Sequence, residues 1–211
     1  MSAPPTISRF LARELAHPSA ILGPTILAPL WNRRNAALND TAFEALAVSP
    51  EDHVLEIGFG GGYLLGRLGS RAPRGLVAGV DASPSMVAYV SRREKRRIAE
   101  GQLVLRCASA EALPFADDSF SKLCSVNSLF YWQNPDQALA ELRRVAAPDA
   151  RLVLCFTDRN SLARKSFSRH GLGLYTKADI QLMLERAAWR VVAAQACEDR
   201  HRQFWCLTAL R

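Results

Sequence analysis

The stretch Val54-Leu55-Glu56-Ile57-Gly58-Phe59-Gly60-Gly61-Gly62-Tyr63 is an apolar run that breaks at once into a glycine-rich turn. The run predicts a buried β-strand, and the turn predicts that a helix begins near Gly62. Because glycine has no Cβ, a ligand can approach this backbone closely, and the helix N-terminus would offer it free N–H groups. The stretch therefore predicts either a ligand-binding strand–turn–helix unit or a tight turn that binds nothing.

Short apolar runs alternate with helical patterns from His53 onward, which predicts a mostly parallel sheet with helices on both faces. The last two β-like runs follow one another without a helix, so they predict an antiparallel hairpin that closes the sheet. The expected fold is α/β, a Rossmann-like three-layer sandwich whose seven-stranded, mostly parallel sheet has an antiparallel C-terminal strand. The predicted strands are 54–58, 76–81, 103–107, 122–126, 151–157, 190–196 and 203–210, and the predicted helices are 62–71, 84–100, 135–146 and 176–188.

The composition is that of a globular protein of 211 residues with 49% hydrophobic residues. Its five cysteines are scattered without a CxxC pair, so they predict neither a zinc site nor a disulfide framework, and no metal site is expected. Reduced, mostly buried thiols favour a cytoplasmic protein. No stretch reaches the about 20 apolar residues that a membrane span needs.

The formal net charge of +7 keeps nucleic acid and anionic lipid among the candidate partners. The densest basic cluster, residues 92–97, lies in a predicted helix. A basic cluster of this kind is more often a solvated helix face than a recognition site. Nucleic acid therefore remains an alternative partner but is not the favoured one.

Asp81 ends the second predicted strand, about two dozen residues after the glycine turn, where a carboxylate can accept both hydroxyls of a ribose. It could equally belong to an ordinary capped helix start. A dinucleotide would require a small residue at the third position of the glycine pattern, where this chain has the bulky Tyr63. A nucleoside ligand that ends in a small zwitterionic amino acid fits the turn better.

With these features the sequence resembles the class I S-adenosylmethionine-dependent methyltransferases, in the small ubiquinone/menaquinone-biosynthesis-like branch. The resemblance covers residues 50–157 well. Four motifs carry it in order, which are residues 54–62, residues 80–83 with Met86, residues 108–115 with 117–120, and residues 141–145. The resemblance implies S-adenosylmethionine as cofactor, S-adenosylhomocysteine as product and a small-molecule acceptor.

The resemblance also implies which residues bind the cofactor. On the methionine side they are Glu56, Gly58, Phe59, Gly60 and Gly62, at the ribose Asp81 and Ala82, at the adenine Met86, Ser109, Ala110 and Glu111, and after the fourth strand Asn127 and Leu129. Ser109 replaces the aspartate that the family usually places at the adenine amino group. A hydroxyl accepts that hydrogen bond with less charge assistance.

The chain is expected to divide into a helical N-terminal extension, residues 1–50, and a cofactor-binding domain, residues 51–211. Small relatives use such an extension as a lid, which implies that Trp31 and Asn35 lie near the acceptor or cofactor. Phe130, Tyr131 and Trp132 follow the fourth strand. These aromatic residues would either line a substrate pocket or pack the next helix against the sheet.

Methyl transfer from a sulfonium is an in-line displacement, and positioning can supply much of its rate. No catalytic triad is evident, and the candidates for a catalytic role are His170, His17 and Tyr131. His201 lies in the last hairpin, which we expect to be far from the site. The favoured function is methyl transfer to a small, apolar or aromatic acceptor. The alternatives are an RNA or protein methyltransferase and a cofactor-binding protein without transfer activity.

Overall fold

The computed structural model describes residues 28–163 and 173–211. Seven strands form one sheet within these residues: β1 (His53–Ile57), β2 (Leu76–Asp81), β3 (Leu103–Cys107), β4 (Phe120–Val126), β5 (Ala146–Thr157), β6 (Arg190–Asp199) and β7 (Arg202–Leu210). The strand order is β3-β2-β1-β4-β5-β7-β6. Strands β1 to β5 pair in parallel, whereas β7 pairs antiparallel with both β5 and β6. The predicted fold is confirmed.

Helices cover both faces of this sheet, as the alternation of patterns predicts. Their bounds are α1 (Ala28–Arg34), α2 (Ala36–Leu46), α3 (Tyr63–Arg71), α4 (Pro84–Arg93), α5 (Lys95–Ala99), α6 (Pro135–Val145), α7 (Arg159–Ala163) and α8 (Lys177–Arg186). Polar side chains cap the N-termini of three of them. Ser83 Oγ accepts the N–H of Met86 at 3.4 Å and Asn134 Oδ1 accepts the N–H of Gln137 at 3.2 Å, and a proline follows each of these two caps. Thr176 Oγ1 accepts the N–H of Asp179 at 3.2 Å at the start of α8.

Two apolar layers enclose the sheet. On one face α6 and α8 pack on strand residues that include Leu55, Leu123 and Leu207. On the other face α2, α3 and α4 pack on strand residues that include Val54 and Cys124. Side chains alternate between the faces of a strand, so Glu56 points into the second layer with Val54.

The expected single helix at 84–100 is wrong, because the chain breaks between α4 and α5 at Glu94, whose φ and ψ are −100° and 18°. Glu94 forms ion pairs with Arg93 at 3.0 Å and Arg97 at 3.6 Å. The break therefore coincides with a local charge cluster that side-chain periodicity does not reveal.

The last hairpin is also placed differently from our expectation. Since β7 runs antiparallel to β5, it begins at the edge where β5 ends, and Thr157 pairs with Phe204. Arg202, the first residue of β7, consequently reaches the joint between α1 and α2. The exposed His201 is the neighbour of a residue at the functional edge.

In the described part of the chain no helix has the length and apolarity needed to cross a membrane.

Candidate functional site

The glycine turn after β1 has a backbone that only glycine adopts easily. Gly58, Gly60 and Gly62 have φ values of 73°, 49° and 68°, in the region that side chains disfavour. A Cβ on Gly58 would lie 2.4 Å from Cβ of Ser128, and one on Gly62 would lie 2.9 Å from Cγ1 of Val90. Ser128 and Val90 therefore pack closely against the turn. The turn itself lies at the carboxyl edge of the sheet.

Glu56 is the buried carboxyl group of the site. Its side chain is 2% exposed, and Oε2 has no hydrogen-bond partner among the described residues. Burial, and next the carboxylate of Asp81, raises the pKa of Glu56 well above its usual value, although the backbone of Leu65 bonds to it. A buried carboxylate oxygen without a donor is suited to an ammonium group, such as that of a methionine moiety. The residues present therefore fit the cofactor that the motifs imply.

Asp81 lies across the turn from Glu56, at the end of β2. Its Oδ2 accepts the N–H of Gly60 at 2.8 Å, and its Oδ1 accepts the N–H of Ser83 at 2.9 Å. These bonds fix the carboxylate at the carboxyl edge of β2. Ala82 is exposed beside it, whereas Met86, in the first turn of α4, is fully buried.

Arg93 holds the glycine turn from the side of α4, and the sequence did not identify it. Its guanidinium donates to the carbonyl oxygens of Gly61 at 2.7 Å and Gly62 at 2.8 Å. Arg97 donates in the same way to the carbonyl of Gly66 in α3, at 3.0 Å. Two members of the basic cluster thus bond to backbone carbonyls of the protein itself, which weakens the case for a nucleic-acid surface there.

The predicted adenine-side residues follow β3. Ser109 is exposed, Ala110 is 5% exposed, and Glu111 is half-buried. Glu111 Oε1 accepts the N–H groups of Gln133 at 2.8 Å and Asn134 at 3.2 Å. Glu111 therefore ties this loop to the segment after β4, and its role at adenine stays a prediction.

The segment after β4 begins with Asn127, whose φ is 58°. Leu129 and Phe130 are 2% and 4% exposed and belong to the apolar layer under α6. Of the two roles considered for the aromatic residues, Phe130 therefore has the packing role. Tyr131 meets Phe130 edge-on, with ring centroids 5.5 Å apart, and Trp132 is half-buried. These last two aromatic side chains remain the candidates for a substrate wall.

The N-terminal helices reach the same edge. Asn35 Oδ1 accepts bonds from Asn127 Nδ2 at 3.3 Å and Arg202 Nη2 at 2.9 Å, and Asn32 Nδ2 donates to the carbonyl of Gly61 at 3.4 Å. Trp31 lies in α1, but its side chain is outside the described part. His17 and His170, two of the three candidates for a catalytic role, also lie outside the described residues.

Comparison with known proteins agrees with this geometry. Residues 55–154 match the methyltransferase domain family. The uncharacterized methyltransferase YdaC of Bacillus subtilis is 25% identical over 151 residues, which are 70% of this chain and 81% of YdaC. The demethylmenaquinone methyltransferase of Thermus thermophilus is 35% identical over 124 residues, which are 59% of this chain but 52% of that protein. The chain thus spans about half the length of this relative.

A solved structure supports the fold. A chain of the complex between the Haloferax volcanii Trm112 methyltransferase activator and the putative methyltransferase superposes with a TM-score of 0.81 at 17% identity, over 90% of this chain and 96% of that one. Residues 55–154 are thus a methyltransferase domain, and the chain has the fold of S-adenosylmethionine-dependent methyltransferases. S-adenosylmethionine is its cofactor, and the edge around Glu56 and Asp81 is the candidate site for it.

Replacing Gly58 by alanine should disable this site. The new Cβ would overlap Ser128 and require a positive φ, so we expect a loss of at least about 2 kcal/mol in unfolding free energy and at least tenfold weaker cofactor binding. Gly66→Ala is the matched control, because nothing lies within 4 Å of its Cβ and alanine favours a helix. Denaturant unfolding and calorimetric titration would check both; equal behaviour of the two variants would contradict the packing argument.

Arg93→Ala should loosen the glycine turn, because two carbonyl oxygens lose a charged donor. We expect cofactor affinity to fall about tenfold, in line with the loss of hydrogen bonds to a charged group. Arg92→Ala removes an exposed charge one residue earlier and should leave affinity unchanged. If both variants lost affinity equally, and only at low salt, the effect would come from net charge and not from the turn.

Glu56→Gln should change how stability depends on pH. A carboxyl with a raised pKa in the folded state stabilises the fold most at low pH, and this contribution is lost as pH rises above the usual value of 4.5. Without cofactor, the free energy of unfolding of the variant should therefore rise relative to that of the wild type from about pH 5 to about pH 8. Urea unfolding of both proteins at each pH would show this difference. It should also bind the cofactor more weakly. The exposed Glu198→Gln is the control, and parallel pH curves for wild type and Glu56→Gln would refute the assignment.

Proposed function

We propose that this chain transfers the methyl group of S-adenosylmethionine to a small, apolar or aromatic acceptor, mainly by positioning the two reactants. The observation that carries the proposal is the arrangement of Glu56, Asp81 and Asn127 on adjacent strands around one glycine turn. Tyr131 and Trp132 lie in the segment that follows Asn127. When bound, S-adenosylmethionine supplies a methyl group on a sulfonium centre, so the displacement removes charge from the site.

Each residue has a defined task in this proposal. Glu56 holds the ammonium group, and the carboxylate of Asp81 holds the ribose hydroxyls. Burial raises the pKa of Tyr131 to about 12, which makes its phenol a poor general base at neutral pH. Tyr131 would therefore act by contact or by donating a hydrogen bond, and the acceptor's proton would leave to solvent or to another group.

The aromatic pair after β4 supports an acceptor with an apolar or flat part, since such surfaces pack on aromatic rings. The Thermus thermophilus relative is named for demethylmenaquinone, which agrees with this class. All five cysteines are free thiols, and each lies in a strand. This agrees with a reducing, cytoplasmic location.

We also propose that residues 1–50 form a lid on the domain of residues 51–211. The bonds of Asn32 and Asn35 to the glycine turn and to Asn127 support this role. In such a lid, exclusion of water would strengthen the electrostatic contacts that Glu56 and Asp81 make.

The first test is calorimetric titration of S-adenosylmethionine and S-adenosylhomocysteine into the wild type and Asp81→Asn. We expect binding by the wild type and at least about tenfold weaker binding by the variant, because charge-assisted bonds to the ribose are lost. Asp149→Asn, an exposed aspartate before the core of β5, should bind like the wild type. Equal affinities for all three proteins would remove Asp81 from the site.

The acceptor is tested by incubating the wild type and S-adenosylmethionine carrying a labelled methyl group with a whole-cell extract. We expect the label in small molecules that dissolve in organic solvent. Label in RNA or in protein would support the alternative substrate classes. Cofactor binding without any transfer would support a non-catalytic cofactor-binding protein instead.

A further inference from the structure

Four side chains form a closed ring of hydrogen bonds at the carboxyl edge of the sheet. Arg202 donates to Asn35 Oδ1 at 2.9 Å and to Thr157 Oγ1 at 3.3 Å. Thr157 Oγ1 donates to Asn127 Oδ1 at 2.8 Å, and Asn127 Nδ2 donates to Asn35 Oδ1 at 3.3 Å. We call these residues the polar ring. Each member of the polar ring is bonded to two others.

The polar ring joins four parts of the chain that are distant in sequence. Asn35 lies at the joint between α1 and α2, Asn127 follows β4, Thr157 ends β5, and Arg202 begins β7. Arg202 also donates to the backbone carbonyl of Arg34. The guanidinium therefore binds both the backbone and the side chain of the helix joint.

The polar ring is largely buried, so the loss of one of its bonds is costly. The Arg202 side chain is 9% exposed and Thr157 is 4% exposed. A buried polar group that loses its partner costs more than an exposed one, because water does not replace the lost bond. Connected bonds in a buried network also fix one arrangement of their members.

The polar ring borders the cofactor site. In the sheet order, β1 with its glycine turn lies between β2, which ends at Asp81, and β4, which precedes Asn127. The polar ring occupies the β4 side of that turn, and the helix that it anchors sends Asn32 to the carbonyl of Gly61. Anchoring the helix joint therefore sets where α1 lies over the turn.

Apolar packing holds helix α2 in place independently of the polar ring. Leu38, Ala42 and Leu46 are fully buried in the layer that α2 shares with α3 and the sheet. Loss of the polar ring should consequently leave α2 packed and the protein folded, while α1 and the joint lose their fixed position.

We propose that Arg202 and Thr157 are positioning residues that hold the α1–α2 joint closed over the cofactor site through Asn35 and Asn127. They act on the cofactor by keeping this cover in place, and they need not touch it. The inference rests on cofactor binding and does not depend on which acceptor is methylated.

The test uses Thr157→Val, which keeps the volume of the side chain but removes the hydroxyl, together with Arg202→Ala. Titration with S-adenosylhomocysteine should show a dissociation constant raised about tenfold in each, the scale expected for a bond to a charged group. Stopped-flow measurements should assign this change to faster dissociation, as expected when a cover opens more often. Hydrogen exchange should accelerate in residues 28–36 and stay unchanged in β1 and β4.

Three further variants make the result specific. Arg200→Ala, in the turn just before Arg202, should behave like the wild type, and Thr157→Ser should restore wild-type dissociation because it keeps the hydroxyl. The double variant Arg202→Ala/Thr157→Val should bind S-adenosylhomocysteine less weakly than the product of the two single fold-changes would give, since both changes break the same network. If Arg202→Ala does not fold, the two Thr157 variants decide the question.

Folded variants that release S-adenosylhomocysteine at the wild-type rate would overturn the proposal and leave the proposed function standing. Loss of affinity with uniform acceleration of hydrogen exchange through the sheet would also overturn it, because the polar ring would then be a general stabiliser. A wild-type protein that binds no S-adenosylhomocysteine would overturn both proposals.

Discussion

The contact between Gly58 and Ser128 is the constraint on which the rest of the site depends. Ser128 donates to the carbonyl of Ile57 at 3.2 Å and bonds to Ser125 Oγ at 2.6 Å, so the loop after β4 is fixed against the end of β1. Only a residue without a side chain fits between them. Because these two strands are neighbours in the sheet, this contact brings the glycine turn and Asn127 to one place, and the elements of the site assemble around it.

Glu56 imposes the second constraint, since burial of its carboxylate works against folding. Its neighbours across the sheet are apolar or weakly polar, with Cys124 directly opposite on β4 and Gly79 on β2. One of its oxygens has no partner among the described residues. A group retained at such a cost to stability is typical of a binding site, where a ligand of opposite charge offsets the desolvation. The stability of the protein and its affinity for the cofactor are therefore coupled at this residue.

Local sequence patterns predicted the sheet, and they predicted where along the chain the glycine turn and Asp81 follow their strands. The strand at 103–107 and the aspartate that ends β2 follow from short apolar runs and their spacing, which do not depend on distant residues. The contacts at the site that the sequence did not reveal join distant positions. Arg93 bonds to residues 31 and 32 positions away, and Arg202 bonds to Asn35 across 167 positions. A basic cluster in a helix looks the same in sequence whether its members face solvent or a carbonyl, so only the packed structure separates the two.

The antiparallel entry of β7 explains why a residue near the end of the chain belongs to the site. A parallel final strand would have begun at the opposite edge and placed Arg202 away from Asn35. Reversal of one strand brings the start of β7 beside the ends of β4 and β5, and it supplies a cation where three polar acceptors meet. For a reaction in which alignment supplies much of the rate, a cover of fixed position is as much a part of the site as the groups that touch the ligand. In this chain strand β7 both extends the sheet beside β5 and anchors that cover through Arg202.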